Sequence, residues 1–516
     1  MFHVYELLEN ACRLYPNSIA ISSDDKEYTY ASLDAAVTRL AVYMREQEVC
    51  KNNRVLIYMK NSVNFIISLF ACAKIDAVFV LQSNQATQAQ ITYCVDQCVP
   101  KLILTDEIGF TNSLKQIAGT NHVCILNQAF WDEIALHTNP CSQSKAEQVG
   151  IDIDLACILY TSGTTGTPKG VMLSHRNILL CTMLSSDVLG IQRTDKFLCL
   201  LPFSFVFGLS QMLIAVRHGA QIVTKANYLI QQLPSMIAQY QITAIFLVPT
   251  ILLQLIQFNK DIKNFDNLRL LTVAGSKIPS NQYDKVLELF GDRLFIMYGQ
   301  TEARISFLKP QFSLVKKGSV GMPLRNMEVR IQSEGRLCEP GETGEIICRG
   351  GIVAQGYWQD VKLTEQTFQN SITDYADNRV AKGSKWLFTG DIGYVDEDGF
   401  LYIVDRKNQL IKHRGFRVSP LEIEECLLTI PGVSECCVIG IADDLSGEKI
   451  VALYSGDQGV FDNVKQAKSI FHKRLPQYMF PSELIAVDEL PHTASGKINR
   501  ATVYERYMKI TSSQME

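Results

Sequence analysis

Residues Tyr160–Gly170 read YTSGTTGTPKG, glycines and hydroxyl side chains closing on Pro-Lys-Gly. An apolar run, LACIL (155–159), precedes them, and a helix-like run, VMLSHRNILLCTMLSS (171–186), follows. A flexible polar loop between two elements that favour burial needs a reason. Glycines let a loop curl so that successive backbone N–H groups converge, and Ser/Thr hydroxyls add donors; such concavities bind phosphate. The P-loop pattern is not met, because Pro168 stands where that pattern needs a glycine followed by lysine and Ser/Thr. Taken alone, the stretch reads equally well as a plain surface turn.

Outward from the loop, short apolar runs alternate with helical periods. RVLIYM (54–59), AVFVLQ (78–82 with its flank), KLILTD (101–106) and HVCILN (122–127) read as buried strands, and SVNFIISLFACAKI (62–75) and LPSMIAQYQI (233–242) as helices. This alternation argues an α/β fold with largely parallel sheets. From about Gly341 the strands shorten and turns punctuate them, as in GEIICRG and WLFTGDIGYVDEDGFLYIVDR, with EDG as a tight-turn signal. After Arg406 comes a compact tail in which Ser419 caps a helix that has Pro420 at its first position.

The chain has 516 residues, which implies two or more domains, and a net charge of −4, which gives no bulk drive toward nucleic acid. The N-terminal stretch MFHVYELLENACRLYP carries acidic residues and does not read as a signal peptide. FIISLFACA (65–73) and AIFLVPTILLQLI (244–256) are too short to span a bilayer. Fifteen cysteines, mostly inside apolar runs, read as reduced buried thiols of a cytoplasmic protein. Cys94 and Cys98 share a helix face, but no second ligand pair follows at zinc spacing.

Further polar motifs accompany the loop. MYGQTEARIS (297–306) sets Glu302 beside Thr301 and Tyr298. FTGDIGYVDEDG (388–399) places Asp391 in a turn after a strand. IVDRKNQLIKHRGFRVSPLEIE (403–424) gathers Arg406, Lys407, Lys412, His413, Arg414 and Arg417. LPHTASGKINR (490–500) puts Lys497 behind a glycine on an exposed turn. Together, in this order and at these approximate gaps, the motifs resemble the adenylate-forming superfamily of acyl- and aryl-CoA synthetases, luciferases and peptide-synthetase adenylation domains. The likeness runs nearly the full length, from PNSIAISSDDKEYTYASLD (16–34) to SGKINR.

The resemblance implies an α/β protein. A large N-terminal domain of α/β layers with a small β-barrel-like part would cover 1–405, and a small mobile α+β C-terminal domain 406–516. It implies ATP-dependent activation of a carboxylic acid, with ATP, Mg²⁺ and coenzyme A as ligands, and no nucleic-acid partner. Thr161, Ser162, Gly163, Thr164, Thr165 and Gly166 would cradle pyrophosphate, assisted by Lys169. Glu302 matches the Mg²⁺ ligand and Thr301 faces the α-phosphate. Tyr298 and Gly299 lie by the adenine, and Asp391 and Arg406 reach the ribose. Lys497 matches the lysine of the first half-reaction, delivered by a lobe that swings. Its pivot position holds Asn408 where the family usually has Asp or Lys.

The substrate segment LPFSFVFGLSQM (201–212) contains no acid to hold an α-ammonium, which disfavours an amino acid. Phe205 stands where many relatives carry histidine. With Phe203, Phe207, Val248 and Gly275 of the VAGSKIP turn it would line a wall suited to a fatty or aryl acid. Ordinary core is the competing reading for these residues. Lys412, Arg414, Gly415 and Phe416 mark the thiol-facing region. The basic cluster there fits the phosphates of coenzyme A and also the acidic face of a separate acyl carrier protein. A nucleotide-binding interaction protein without catalysis is the remaining alternative.

Overall fold

A computed structural model describes residues 1–23, 26–84, 86–106, 114–116, 122–137, 150–161, 168–225, 228–258, 265–369, 385–407, 409–413, 416–443, 446–456, 471, 474–493 and 496–512. The described strands form three sheets. In the first of these, the order is Gly356–Tyr357, Lys169–Ser174, Leu155–Thr161, Val78–Leu81, Arg54–Tyr58, Leu102–Thr105 and Val123–Ile125. The last five of these strands run parallel. Val78–Leu81 and Leu102–Thr105 are buried at every position, as expected of parallel strands covered on both faces.

A second sheet holds fifteen strands. Its parallel part runs through Gln221–Thr224, Lys196–Leu198, Ala244–Leu247, Leu270–Ala274 and Leu294–Gln300. It then turns antiparallel through Ala303–Leu308, Ser319–Pro323, Leu401–Arg406, Trp386–Val395 and Gly344–Gly350. In the parallel part, Ala244–Leu247 and Leu270–Ala274 are buried at every position. Helix Val63–Lys74 starts at Ser62, whose hydroxyl accepts from the Phe65 N–H at 3.2 Å, and buries every residue from Phe65 to Ala73. Helix Val206–Arg217 buries Gly208 to Val216. A helix apolar all round needs cover on every side. These two supply the interior of a core that also takes helix Tyr5–Leu14 and Phe65 against Phe203, ring centroids 5.5 Å apart. Gly208 is required by closeness: a Cβ there would meet the Pro202 carbonyl oxygen at 2.3 Å.

The third sheet belongs to the tail, in the order Phe416–Val418, Ile411–His413, Gly447–Gly456, Val433–Asp443, with Glu483–Ala486 alongside Gly447–Gly456. Helix Pro420–Leu428 covers it, capped by Ser419 on the Glu422 N–H at 3.3 Å, as its sequence indicates.

Two local expectations are corrected. The stretch from Val171 is not helical at its start: Lys169–Ser174 is a strand antiparallel to Leu155–Thr161, and the helix is His175–Leu189. The switch is made by a reciprocal cap between Ser174 and Asn177. Asp391 lies within strand Trp386–Val395 rather than in a turn after it. Its backbone N–H donates to Thr389 Oγ1 at 3.0 Å, beside Gly390 at φ +71°. Lys497 is exposed, as its place on a turn behind a glycine indicates, and its side chain lies beside Gly275.

Candidate active site

The hairpin that carries the glycine-rich loop sets Thr161 opposite Lys169. Ser162, Gly163, Thr164, Thr165 and Gly166 lie outside the described residues, so the mouth of the loop is what the structure fixes. Lys169 Nζ stands 5.5 Å from the centre of the Tyr357 ring. Tyr357 sits on the short strand paired to Val171 and donates its hydroxyl to Glu302 Oε1 at 2.7 Å. Burial, then the Glu302 charge, pushes the Tyr357 pKa upward, so this phenol keeps its proton and remains a donor. The first two motifs thus meet through a residue that sequence reading passed over. Its only signal was the position of GYW just after the glycine-rich GGIVAQ segment.

Glu302 and Thr301 occupy the tight turn between strands Leu294–Gln300 and Ala303–Leu308. Glu302 is 9 % exposed, and its carbonyl accepts the Ala354 N–H at 2.8 Å. On the strand leading into that turn, Tyr298 donates to Asp391 Oδ2 at 2.6 Å. Gln300 Nε2 reaches the Thr389 carbonyl at 3.2 Å. Burial, then Asp391, raises the Tyr298 pKa well above its ordinary value. Asp391 is paired in register with Arg406, and Arg406 Nε lies 2.9 Å from Asp391 Oδ1. Tyr298, Asp391 and Arg406 therefore form one cluster, with Gly299 packed against the backbone of Ala303 and Arg304 beside it.

Lys497 comes within electrostatic reach of this cluster from the tail. A Cβ built at Gly275 would meet Lys497 Cε at 3.1 Å and Nζ at 3.8 Å, and Gly275 holds φ at +99°. Thr250 donates to the Gly496 carbonyl at 2.9 Å, and Lys277 pairs with Glu425. Lys497 remains exposed beside the Gly275 turn. Its pKa is lowered by desolvation first and by Arg406 second, while Asp391 raises it. The charges of Arg406 and Asp391, themselves paired, thus reach Lys497 with opposite effect.

Phe205 is the residue before helix Val206–Arg217 and is half-buried. Phe207 packs on Phe246 with centroids 5.0 Å apart, and Val248 lies 3.4 Å from the same Gly275 Cβ position. Phe203 is fully buried core against Phe65. Phe416 is 50 % exposed and stacks on Tyr478 at 4.2 Å, with Lys412 exposed on the neighbouring strand. Arg414, Gly415 and Asn408 lie outside the described residues. Cys94 and Cys98 are buried among Ile91, Ile103 and Leu114, and Cys98 Sγ sits 3.2 Å from the Tyr160 hydroxyl.

Another buried grouping, His3, Asp76 and His175, has the composition of a metal site. The Val4 N–H donates to His175 Nδ1 at 3.1 Å, which places the ring proton on Nε2 and withdraws that atom as a ligand. His3 instead bridges Gly150 O at 2.8 Å and Asp76 at 3.1 Å.

Comparison with known proteins agrees with this geometry. The family model for AMP-binding enzymes matches residues 8–358, and that for the AMP-binding enzyme C-terminal domain matches 422–497. The 2-succinylbenzoate–CoA ligase of Geobacillus sp. (strain WCH70) is 31% identical over 490 residues, 94% of each chain. A 4-coumarate–CoA ligase of Nicotiana tabacum is 29% identical, covering 95% of this chain and 92% of its own. Among solved structures, the o-succinylbenzoate CoA synthetase of Bacillus subtilis in complex with its acyl-adenylate intermediate superposes with a TM-score of 0.82. It is 28% identical and covers 96% of this chain and 97% of its own. No described helix is long and apolar enough to cross a membrane. The chain belongs to the family of AMP-binding enzymes and is an AMP-forming acid–thiol ligase of the acyl-CoA synthetase type.

Proposed function

We propose that the protein joins an apolar aryl or aliphatic carboxylic acid to AMP and then passes the acyl group to the thiol of coenzyme A. The observation that carries this reading is the Lys497 side chain beside the Gly275 turn, within electrostatic reach of the Asp391–Arg406 pair. The chemistry needs such a place. A carboxylate oxygen must attack an α-phosphorus that is itself anionic, forming a P–O bond while the α–β anhydride bond breaks and its electron pair leaves with pyrophosphate. A cation fixed where the two anions approach lowers that barrier. In the second step the thiol sulfur bonds the carbonyl carbon, the C–O bond to AMP breaks, and AMP departs.

Roles follow from placement. Thr161 and Lys169 hold the mouth of the phosphate loop, with Ser162–Gly166 as its cradle. Asp391 and Arg406 take the ribose, Tyr298 and Gly299 flank the base, and Thr301 faces the α-phosphate. Glu302 would hold Mg²⁺: a carboxylate with one oxygen fixed by Tyr357 offers the other as a hard donor, and the ion would neutralise phosphate charge. We place the domain boundary between Asp405 and Arg406. The part from Arg406 delivers Lys497 in the arrangement seen here and turns its Lys412–Phe416 face inward for the thiol step. Phe205, Phe207 and Val248 form the acyl wall. The relatives named for aryl acids and CoA support an aryl acid and CoA over a carrier protein. The reduced thiols support a cytoplasmic setting, since all fourteen described cysteines are free.

Exchange of labelled pyrophosphate into ATP across a panel of acids, followed by thioester formation with coenzyme A or an acyl carrier protein, tests this. Exchange with aryl or fatty acids and thioester on coenzyme A is expected. Exchange confined to amino acids, or transfer to the carrier protein alone, contradicts it.

A further inference from the structure

Lys497 reaches the Gly275 turn because its neighbours in the tail are held there. Immediately before it, Gly496 has φ +77°, and a Cβ on it would meet Val248 Cγ2 at 3.0 Å. The Gly496 carbonyl accepts from Thr250 Oγ1 at 2.9 Å, and Thr250 lies in the first turn of helix Pro249–Phe258. A second contact is charged. Lys277, two residues on from Gly275, pairs with Glu425 of helix Pro420–Leu428, and their side chains are 36 % and 29 % exposed.

That helix has a need which Lys277 meets. Glu424 is taken by Arg500 inside the tail. Glu422 and Glu425 stand three apart, hence on neighbouring positions of one face, and Asp405 accepts from the Ser419 hydroxyl at the helix start. Partial desolvation, then the Asp405 and Glu425 charges, raise the Glu422 pKa, and Lys277 opposes them. The helix thus brings like charges together, and the cation that acts on both Glu422 and Glu425 comes from the large part of the chain.

Both contacts cross the boundary at Arg406. Turning the Lys412–Phe416 face inward moves Glu425 and Gly496 while Lys277 and Thr250 stay in place. A contact made in one arrangement and not in the other is what sets the balance between them. A bond within the tail, such as Arg500 to Glu424, contributes equally to both.

We propose that the Lys277–Glu425 ion pair is a latch for the adenylating arrangement, which opens before thiol transfer, so that its strength divides the two half-reactions. This rests on the activation reading above. Lys277 and Glu425 are positioning residues: they act through the placement of Lys497 and touch no reacting atom. The test uses the full chain and the variants Lys277→Gln and Glu425→Gln. Pyrophosphate exchange reads the latched arrangement, and single-turnover transfer from supplied acyl-adenylate to coenzyme A reads the opened one. An ion pair as exposed as this one shifts an equilibrium by up to about 5-fold. Each variant is expected to lose about 3- to 5-fold in exchange, with the KM for the acid and the thermal midpoint unchanged, and to transfer as fast as wild type or faster. The double variant Lys277→Gln/Glu425→Gln is expected to lose no more than Lys277→Gln alone, because one bond cannot be removed twice. A parallel loss in both half-reactions, no loss in exchange, or additive losses in the double variant overturns the proposal. Wild type that exchanges with no acid at all overturns the activation reading instead.

Discussion

Replacing Lys497 by alanine removes one positive charge from the cluster it shares with Arg406 and Asp391. A unit charge acting on another over ~4 Å at an effective dielectric of ~20 is worth ~4 kcal/mol. The side chain is exposed, so ~3–4 kcal/mol is the relevant range, or about 10²–10³ in rate. The loss should fall on adenylation alone, because the thioester step uses another face of the tail. Pyrophosphate exchange reads the first half-reaction, and single-turnover thioester formation from supplied acyl-adenylate reads the second. Equal loss in both would refute the reasoning. The lowered pKa adds a pH signature. Lys497 loses its proton below the ordinary 10.5, so adenylation should fall on the alkaline side as pH rises through that lowered value. Lys497→Arg, whose charge persists, should lack this limb. The unfolded chain holds the same proton to higher pH, so the charged lysine costs the folded state stability at neutral pH. Lys497→Met should therefore leave the thermal midpoint at pH 7 unchanged or raised.

Three further outcomes are expected. Gly275→Ala sets a methyl 3.1 Å from Lys497 Cε at φ +99°; adenylation should drop by roughly 10²-fold through misplacement of the lysine, with the thioester step spared, and equal effects on both steps would count against the contact. Tyr357→Phe deletes a hydrogen bond to the Glu302 carboxylate, worth about 1.5–3 kcal/mol; the concentration of Mg²⁺·ATP at half-saturation should rise about 10–100-fold, and an unchanged Mg²⁺ dependence would detach Tyr357 from the site. Arg500→Met strands buried Glu424, which Arg500 grips at 2.6 and 2.7 Å; this should cost about 3 kcal/mol in urea unfolding, and adding Glu424→Met should recover part of it, whereas additive losses would deny the coupling.

The parallel half of the fold was legible because strands such as Val78–Leu81 are buried at every position and read as unbroken apolar runs. The Ser419–Pro420 helix start was legible because capping chemistry is local. Lys169–Ser174 was not: its short apolar run has no periodicity of its own, and its partner strand Leu155–Thr161 decides it. The Ser174 and Asn177 pair was the local clue to where the helix begins. At the site, each motif announced its chemistry but not its neighbours. That Asp391 meets Tyr298, or that Tyr357 holds Glu302, depends on strands far apart in the chain.

The central claim is that these separated motifs act on one molecule of ATP to make a mixed anhydride. The direct measurement is mass spectrometry of a single turnover with acid, ATP and Mg²⁺ and with coenzyme A withheld. The account predicts acyl-adenylate held by the enzyme in near-stoichiometric amount, with one pyrophosphate released per acyl-adenylate. ADP with orthophosphate, or pyrophosphate released with no acyl-AMP species formed, would contradict it.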